Sequence, residues 1–177
     1  MNSPYNQLPL SNLTQNGHIL IVGLPKSNKT KLAKLLIKNT PSNFSLAIRL
    51  CESLIENEQS RTIRPKIDLI IYILDLQQLR SFTHLKTVLA QLHPMYPFGK
   101  FIILCNNYSK VLKHSIDLVE LERYLQNYFE LMTIYTDLDD AESSLLVAKK
   151  VFNLLCSITQ NSLGSLLLTR CLNSKIN

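Results

Sequence analysis

Glycine is rare in this 177-residue chain, with four residues at positions 17, 23, 99 and 164. None lies between 24 and 98, so that stretch holds no D-x-x-G, the motif whose Asp organises the metal and whose Gly senses the γ-phosphate in guanine-nucleotide switch proteins. Cysteine is sparse too: Cys51, Cys105, Cys156 and Cys171 form no C-x-x-C pair. With His18, His84, His93 and His114 scattered as well, spacing supports neither a zinc site nor a Cys-His or Ser-His-Asp arrangement. Cys105 and Cys156 lie in apolar runs, as reduced core thiols do. No apolar run approaches the roughly 18–20 residues of a membrane span, and "LIIYIL" (69–74) is far too short. The opening "MNSPYNQLPLSNLTQNG" is polar and lacks the apolar segment of a secretory signal, so an intracellular, reducing compartment is expected. Acid is the minority charge, with 13 Asp and Glu against 19 Lys and Arg for a net charge of +6. The excess base permits attraction to nucleic acid, anionic membrane or acidic protein surfaces, or serves solubility alone.

What is present is enough for one folded domain with a substantial core: 46% apolar and 18% charged residues exclude a disordered chain. Residues 1–17 read as a flexible arm, and "HILIVG" (18–23) as a short buried strand closed by glycine. A helix is expected over 29–39, with Leu32, Leu35 and Leu36 as its apolar stripe and Thr40-Pro41 as its stop. "FSLAIRL" (44–50) reads as a strand, while 51–65 is polar and ambiguous. "KIDLIIYILDL" (66–76) is continuously apolar and β-branched, as a parallel strand covered on both faces should be.

A helix over 79–92 follows, with Leu79, Phe82, Leu85, Val88, Leu89 and Leu92 inward. "HPMYPFG" (93–99) breaks it ahead of the strand 100–105. Ser115 is the expected cap of a helix over 116–129, with Ile116, Val119, Tyr124, Leu125 and Tyr128 inward. A strand at 130–136 leads to Asp139 and Glu142, which read as a capping box for a helix to about 158. A short helix over 161–174 closes the chain, so the domain spans 18–160 with a C-terminal helix and tail at 161–177. Alternation of strands and helices implies a doubly wound α/β sheet.

The segment "GLPKSNKT" (23–30) carries Gly23, Lys29 and Thr30 at the spacing of the phosphate-binding loop G-x-x-x-x-G-K-[ST], between an expected strand and an expected helix. Asn28 replaces the second glycine. Asn tolerates left-handed backbone better than other side chains, yet it would crowd the phosphate path. The guanine-reading N-K-x-D is missing as well, since Asn106-Asn107-Tyr108-Ser109 stands in its place. Only residues 40–66, 27 positions, separate the first helix from the long strand, little room for two strands and two nucleotide-sensing switches. Lost catalysis is the expectation, with no cofactor, no metal and a vestigial loop at Gly23, Asn28, Lys29 and Thr30.

Asp75 at the end of "LIIYILD" also fits a metal-binding strand-end Asp, which would make the chain an atypical ATPase; the competing role is capping the following turn. No catalytic Glu follows it, where "LQQLR" stands. Lys31, Lys34 and Lys38 share one face of the first helix, a solvated face or a contact for phosphate or an acidic partner. Asp137, Asp139 and Asp140 are read as helix-capping groups.

The chain resembles the centromere protein M family, Ras-like subunits of the inner kinetochore. The resemblance rests on "RPKIDLIIYILDL" (64–76), on "FGK" (98–100), on "YTDL" (135–138) and on the leucine-rich "NSLGSLLLTRCL" (161–172). It implies a small-GTPase fold with a mostly parallel sheet, helices on both faces and a degenerate nucleotide site. It further implies no enzyme activity and a structural role in the nucleus, in the constitutive centromere network that serves chromosome segregation in mitosis. The implied partner is the helical-repeat centromere protein I, with centromere proteins H and K. A weak electrostatic contact with DNA inside the assembly is compatible with the charge, and no membrane is involved. The alternative is a nucleotide-regulated P-loop protein using Lys29 and Thr30.

Two segments offer apolar groups for a partner. Met95, Tyr96 and Phe98 lie in a connection that Pro94 and Pro97 keep irregular. Leu163, Leu166 and Leu167 belong to a terminal segment with more leucines than one packed face needs. Both segments serve equally well, on sequence, to cover the domain's own sheet.

Overall fold

A computed structural model describes residues 15–54, 66–92, 98–128 and 131–159. Five strands form one sheet: β1 (Gln15–Val22), β2 (Phe44–Cys51), β3 (Leu69–Asp75), β4 (Phe101–Asn106) and β5 (Met132–Tyr135). Their order is β2-β1-β3-β4-β5, and every pairing is parallel. The helices are α1 (Lys29–Lys38), α2 (Leu79–Gln91), α3 (Leu118–Leu125) and α4 (Ala141–Thr159), with 3₁₀ turns at Phe98–Lys100 and Val111–Lys113. This is the Ras-like doubly wound architecture. The sheet, expected to be mostly parallel, is wholly parallel among the described residues. Only residues 39–43 join α1 to β2, too few for an inserted strand and switch.

The sequence pattern accounts for the layers. All seven residues of β3 and all six of β4 are buried, because these strands are covered on both faces. Alternate side chains feed two cores. Ile19, Ile21, Ile71, Ile73, Ile102 and Leu104 pack with Leu32 and Leu36 of α1 and Val147, Val151 and Leu155 of α4. Leu20, Val22, Ile70, Tyr72, Ile103 and Cys105 pack with Phe82, Leu85 and Leu89 of α2 and Leu121 and Leu125 of α3. Gly17 is closely overlaid: a Cβ there would stand 2.7 Å from Leu155 Cδ2 and 2.9 Å from the Phe44 ring, so those side chains would have to shift.

Several boundaries differ from the sequence expectations. β1 begins at Gln15, three residues before the "HILIVG" run, because Gln15 to Gly17 pair with Phe44 to Leu46 along β2. Ser115 does not cap α3. Its N–H donates to Leu76 O and its hydroxyl to Gln77 O, both at 2.9 Å, and Asp117 is the cap, accepting from Val119 N at 2.9 Å. Val119 and Leu79, expected inward, are 62% and 57% exposed, and Leu121 takes the buried place on α3. The α4 cap is Asp140, whose Oδ2 accepts from Ser143 N at 2.7 Å, so Asp139 and Glu142 form no capping box. Cys105 is fully buried and its thiol pKa is pushed up by desolvation, as befits a core thiol; Cys156 is half-buried at the core's margin.

Candidate functional site

Strand order reverses between β1 and β3, since α1 and α2 leave their strands toward opposite faces of the sheet. The crevice outside the C-terminal ends of these strands is where doubly wound folds bind ligands. The sequence-read candidates converge there: the loop from Gly23 to Thr30 after β1, Asp75 ending β3, and Asp137 to Asp140 after β5, beside Asn106 at the end of β4 and Asn107 just after it.

The loop turns from strand to helix with Asn28 in place of the second glycine. Asn28 has φ 64° and ψ 17°, and Lys26 has φ 66°, so both adopt the left-handed conformation. For Lys26 this costs about 1–2 kcal/mol; Asn28 bears it more readily. Gly23 is needed for proximity, not for a positive φ: a Cβ would stand 2.7 Å from Ser27 Oγ and 3.2 Å from Ile73 O. Lys29 turns its ammonium back across the loop and donates to Gly23 O and, at 3.2 Å, to Cys51 O. Thr30 is exposed in the first turn of α1.

Asp75 is 8% exposed and fully engaged. Its Oδ1 accepts from Gln77 N at 3.1 Å and Asn107 Nδ2 at 2.8 Å, and its Oδ2 accepts from Gln78 Nε2 at 2.6 Å. The turn-capping role is the one these contacts describe. Its own N–H donates to Ser81 Oγ at 3.0 Å, and the Ser81 carbonyl accepts from the buried Tyr72 hydroxyl at 2.8 Å. That hydroxyl also lies 2.9 Å from His84 Nδ1, and desolvation lowers the His84 pKa.

The place of the missing base-reading motif is equally self-contained. Asn107, at φ 64°, accepts from Lys110 Nζ at 2.8 Å through its Oδ1, and its carbonyl lies 3.0 Å from His114 Nε2. Asn106 Oδ1 accepts from Leu138 N at 2.9 Å, fastening β4 to the loop after β5. The Ser109 hydroxyl donates to Asp137 Oδ2. Asp139 bridges Lys31 at 2.8 Å and Lys110 at 2.9 Å. The hydrogen bonds from those two ammonium groups hold its carboxyl pKa down at about 2 and raise that of Lys110. At the opposite end of the sheet Asp68, within the "RPKIDL" segment, is structural: it is buried, accepts from His18 N at 3.1 Å and pairs with Lys66 at 3.2 Å.

Sequence reasoning found the loop and Asp75. It missed Asn106, Asn107 and Lys110 as the groups that close the crevice; their signal was present only as a failed N-K-x-D. Met95, Tyr96, Leu163, Leu166 and Leu167 lie outside the described residues, and Phe98 is placed only as the first residue of a 3₁₀ turn. Among the described residues no helix is long and apolar enough to cross a membrane.

The fold and crevice define a Ras-like α/β domain whose loop after β1 carries part of a phosphate-loop sequence motif and whose strand-end polar groups bond mainly to one another. The family model of centromere protein M matches residues 1–175, and the chain belongs to that family. Its relatives include centromere protein M of Xenopus laevis, 22% identical over 86% of this chain and 82% of the relative. That of Danio rerio is 29% identical over 58% of this chain and 53% of the relative. The role of the chain is therefore at the centromere.

Proposed function

We propose that this chain is a non-catalytic, small-GTPase-like structural subunit of the constitutive centromere-associated network in the nucleus. In this reading it binds and stabilises the helical-repeat centromere protein I, together with centromere proteins H and K, for kinetochore assembly and chromosome segregation. The observation that carries the non-catalytic part is the engagement of Lys29 and Asp75, the two groups that nucleotide and metal would need. The Lys29 ammonium holds Gly23 O and Cys51 O, and the Asp75 carboxylate accepts three hydrogen bonds. Family membership supports the assembly role.

The test is binding of labelled GTP and ATP with Mg²⁺ to purified protein, after denaturing extraction to detect co-purified nucleotide. No binding at millimolar nucleotide is expected. Saturable binding abolished by Lys29→Ala would instead make this a nucleotide-regulated subunit. For the partner, co-expression with centromere protein I is expected to give a stable complex that purifies as one species.

A further inference from the structure

Helix α1 reads KTKLAKLLIK, with four lysines and no acid. Lys29 is turned inward and Lys31 pairs with Asp139. Lys34 and Lys38 have no carboxylate partner among the described residues. Together with Lys31 they edge an open cleft of about 220 Å³ between α1 and α4, whose remaining walls are Leu35, Leu138 and Ser144. Lys31, Lys34, Leu35 and Lys38 stand at i, i+3, i+4 and i+7, so they form one stripe of α1. Half-buried Leu35, flanked by two lysines without a carboxylate partner among the described residues, Lys34 and Lys38, is thus presented by a helix that the core already fixes.

We propose that this cleft docks an acidic segment of the protein partner, with carboxylates against Lys34 and Lys38 and an apolar side chain on the half-buried Leu35 between them. The inference rests on the reading of the chain as an interaction subunit and assigns that role a face and a partner chemistry. The two lysines select for acid, and Leu35 between them favours protein over nucleic acid, whose phosphodiester backbone offers no apolar side chain to cover it.

The test uses the full chain with its helical-repeat partner. Lys34→Glu/Lys38→Glu is compared with wild type and with Lys113→Glu/Lys150→Glu, which makes the same charge change at two exposed lysines away from the cleft. Reversing both groove charges is expected to weaken the complex by about tenfold or more, the control by less than about twofold, with melting temperatures unchanged. Wild-type affinity should fall with added salt more steeply than that of the groove variant. If wild type itself fails to bind, the subunit reading fails. If wild type binds and the groove variant binds within about twofold of it, this inference alone fails. Equal losses in variant and control reduce the effect to net charge and also overturn it. So does a groove variant that keeps the partner but loses affinity for a 20-base-pair DNA duplex, which would assign the lysines to nucleic acid. Should the Glu variant melt early, Lys34→Gln/Lys38→Gln is expected to lose about threefold in affinity at wild-type melting temperature, and no loss refutes the proposal.

Discussion

Asp75→Ala removes the group on which the strand ends of β3 and β4 are fastened, and its cost can be worked from the contacts. Gln78 is exposed, so its amide returns to water at little cost. Asn107 is 6% exposed, and its Nδ2 would be left without its acceptor; Gln77 N–H would lose its own. Hydrogen bonds to a charged acceptor contribute about 1.5–3 kcal/mol each, and two that share one carboxylate are not additive, so a loss of about 3 kcal/mol is expected. For a domain of this size that lowers Tm by roughly 6–12 °C. Asp75→Asn keeps Oδ1 for Gln77 and Asn107, and the exposed Gln78 amide can turn over to meet the new Nδ2, so a loss of about 1 kcal/mol is expected. Thermal and urea melts, with and without millimolar Mg²⁺, read both effects. A metal ligand would behave differently: Mg²⁺ at ten times its Kd would raise wild-type stability by about 1.4 kcal/mol, and both substitutions would abolish the gain. Asn as damaging as Ala, or a Mg²⁺-dependent rise in wild-type Tm, refutes the turn-capping role.

Gly23→Ala should destabilise by about 1–3 kcal/mol through the 2.7 Å approach to Ser27 Oγ, and adding Ser27→Gly should recover part of it. Strict additivity of the two in a urea double-mutant cycle would count against that contact. Gly17→Ala should cost a similar amount of about 1–3 kcal/mol against Leu155 and Phe44, with Leu155→Val giving partial relief in the same assay. Asp139 has its pKa lowered from 3.8 to about 2, so its contribution to stability is complete above pH 3.8 and is lost as pH falls toward 2. Asp139→Asn should flatten the acid limb of a stability–pH curve in that window. Its exposure and salt screening hold the effect below about 1 kcal/mol, and high salt should erase it.

The sheet was legible because its central strands are unbroken apolar runs; a buried parallel strand has no polar face to confuse the period. The errors fall where a local signal has a rival use. Ser115 and Asp117 are both good cap residues, and Ser115 is spent on Leu76 and Gln77 of the neighbouring connection. That shift explains the one misplaced inward residue of this segment, Val119, while Ile116, Tyr124, Leu125 and Tyr128 do pack on the core. Ile116 precedes the helix, so counting from it in helical steps places Val119 inward, whereas the true phase is set by Leu121 and Leu125. Asp139 looked like a cap because nothing in its neighbourhood reveals Lys31, 108 residues earlier. The crevice shows the same division. Its loop is a local motif and could be read, but what fills it joins residues 22 and 32 positions apart, Lys29 to Cys51 and Asn107 to Asp75.

Why this loop turns from strand to helix with Asn28 in place of the second glycine is a question of topology. β1 ends at Val22 and α1 begins at Lys29, so residues 23–28 must reverse the chain on the spot. Gly23 N donates to Cys51 O at 3.3 Å and Ser27 N to Leu24 O at 3.2 Å, bonds that pin the loop at both ends. With the ends fixed by sheet and helix, left-handed backbone at Lys26 and Asn28 is imposed by the connection, and its cost is met by the packing of α1. Loop shape is then a poor witness for nucleotide chemistry. The better witness is where the donors and acceptors are already committed. For Lys29 to reach a phosphate it would have to release two carbonyls, bonds to a charged donor of about 1.5–3 kcal/mol each, so binding would exchange interactions more than add them. The same holds for a metal at Asp75, which would first displace three donors. The proposed structural role therefore leaves the fold self-sufficient at the point where a switch protein depends on its ligand.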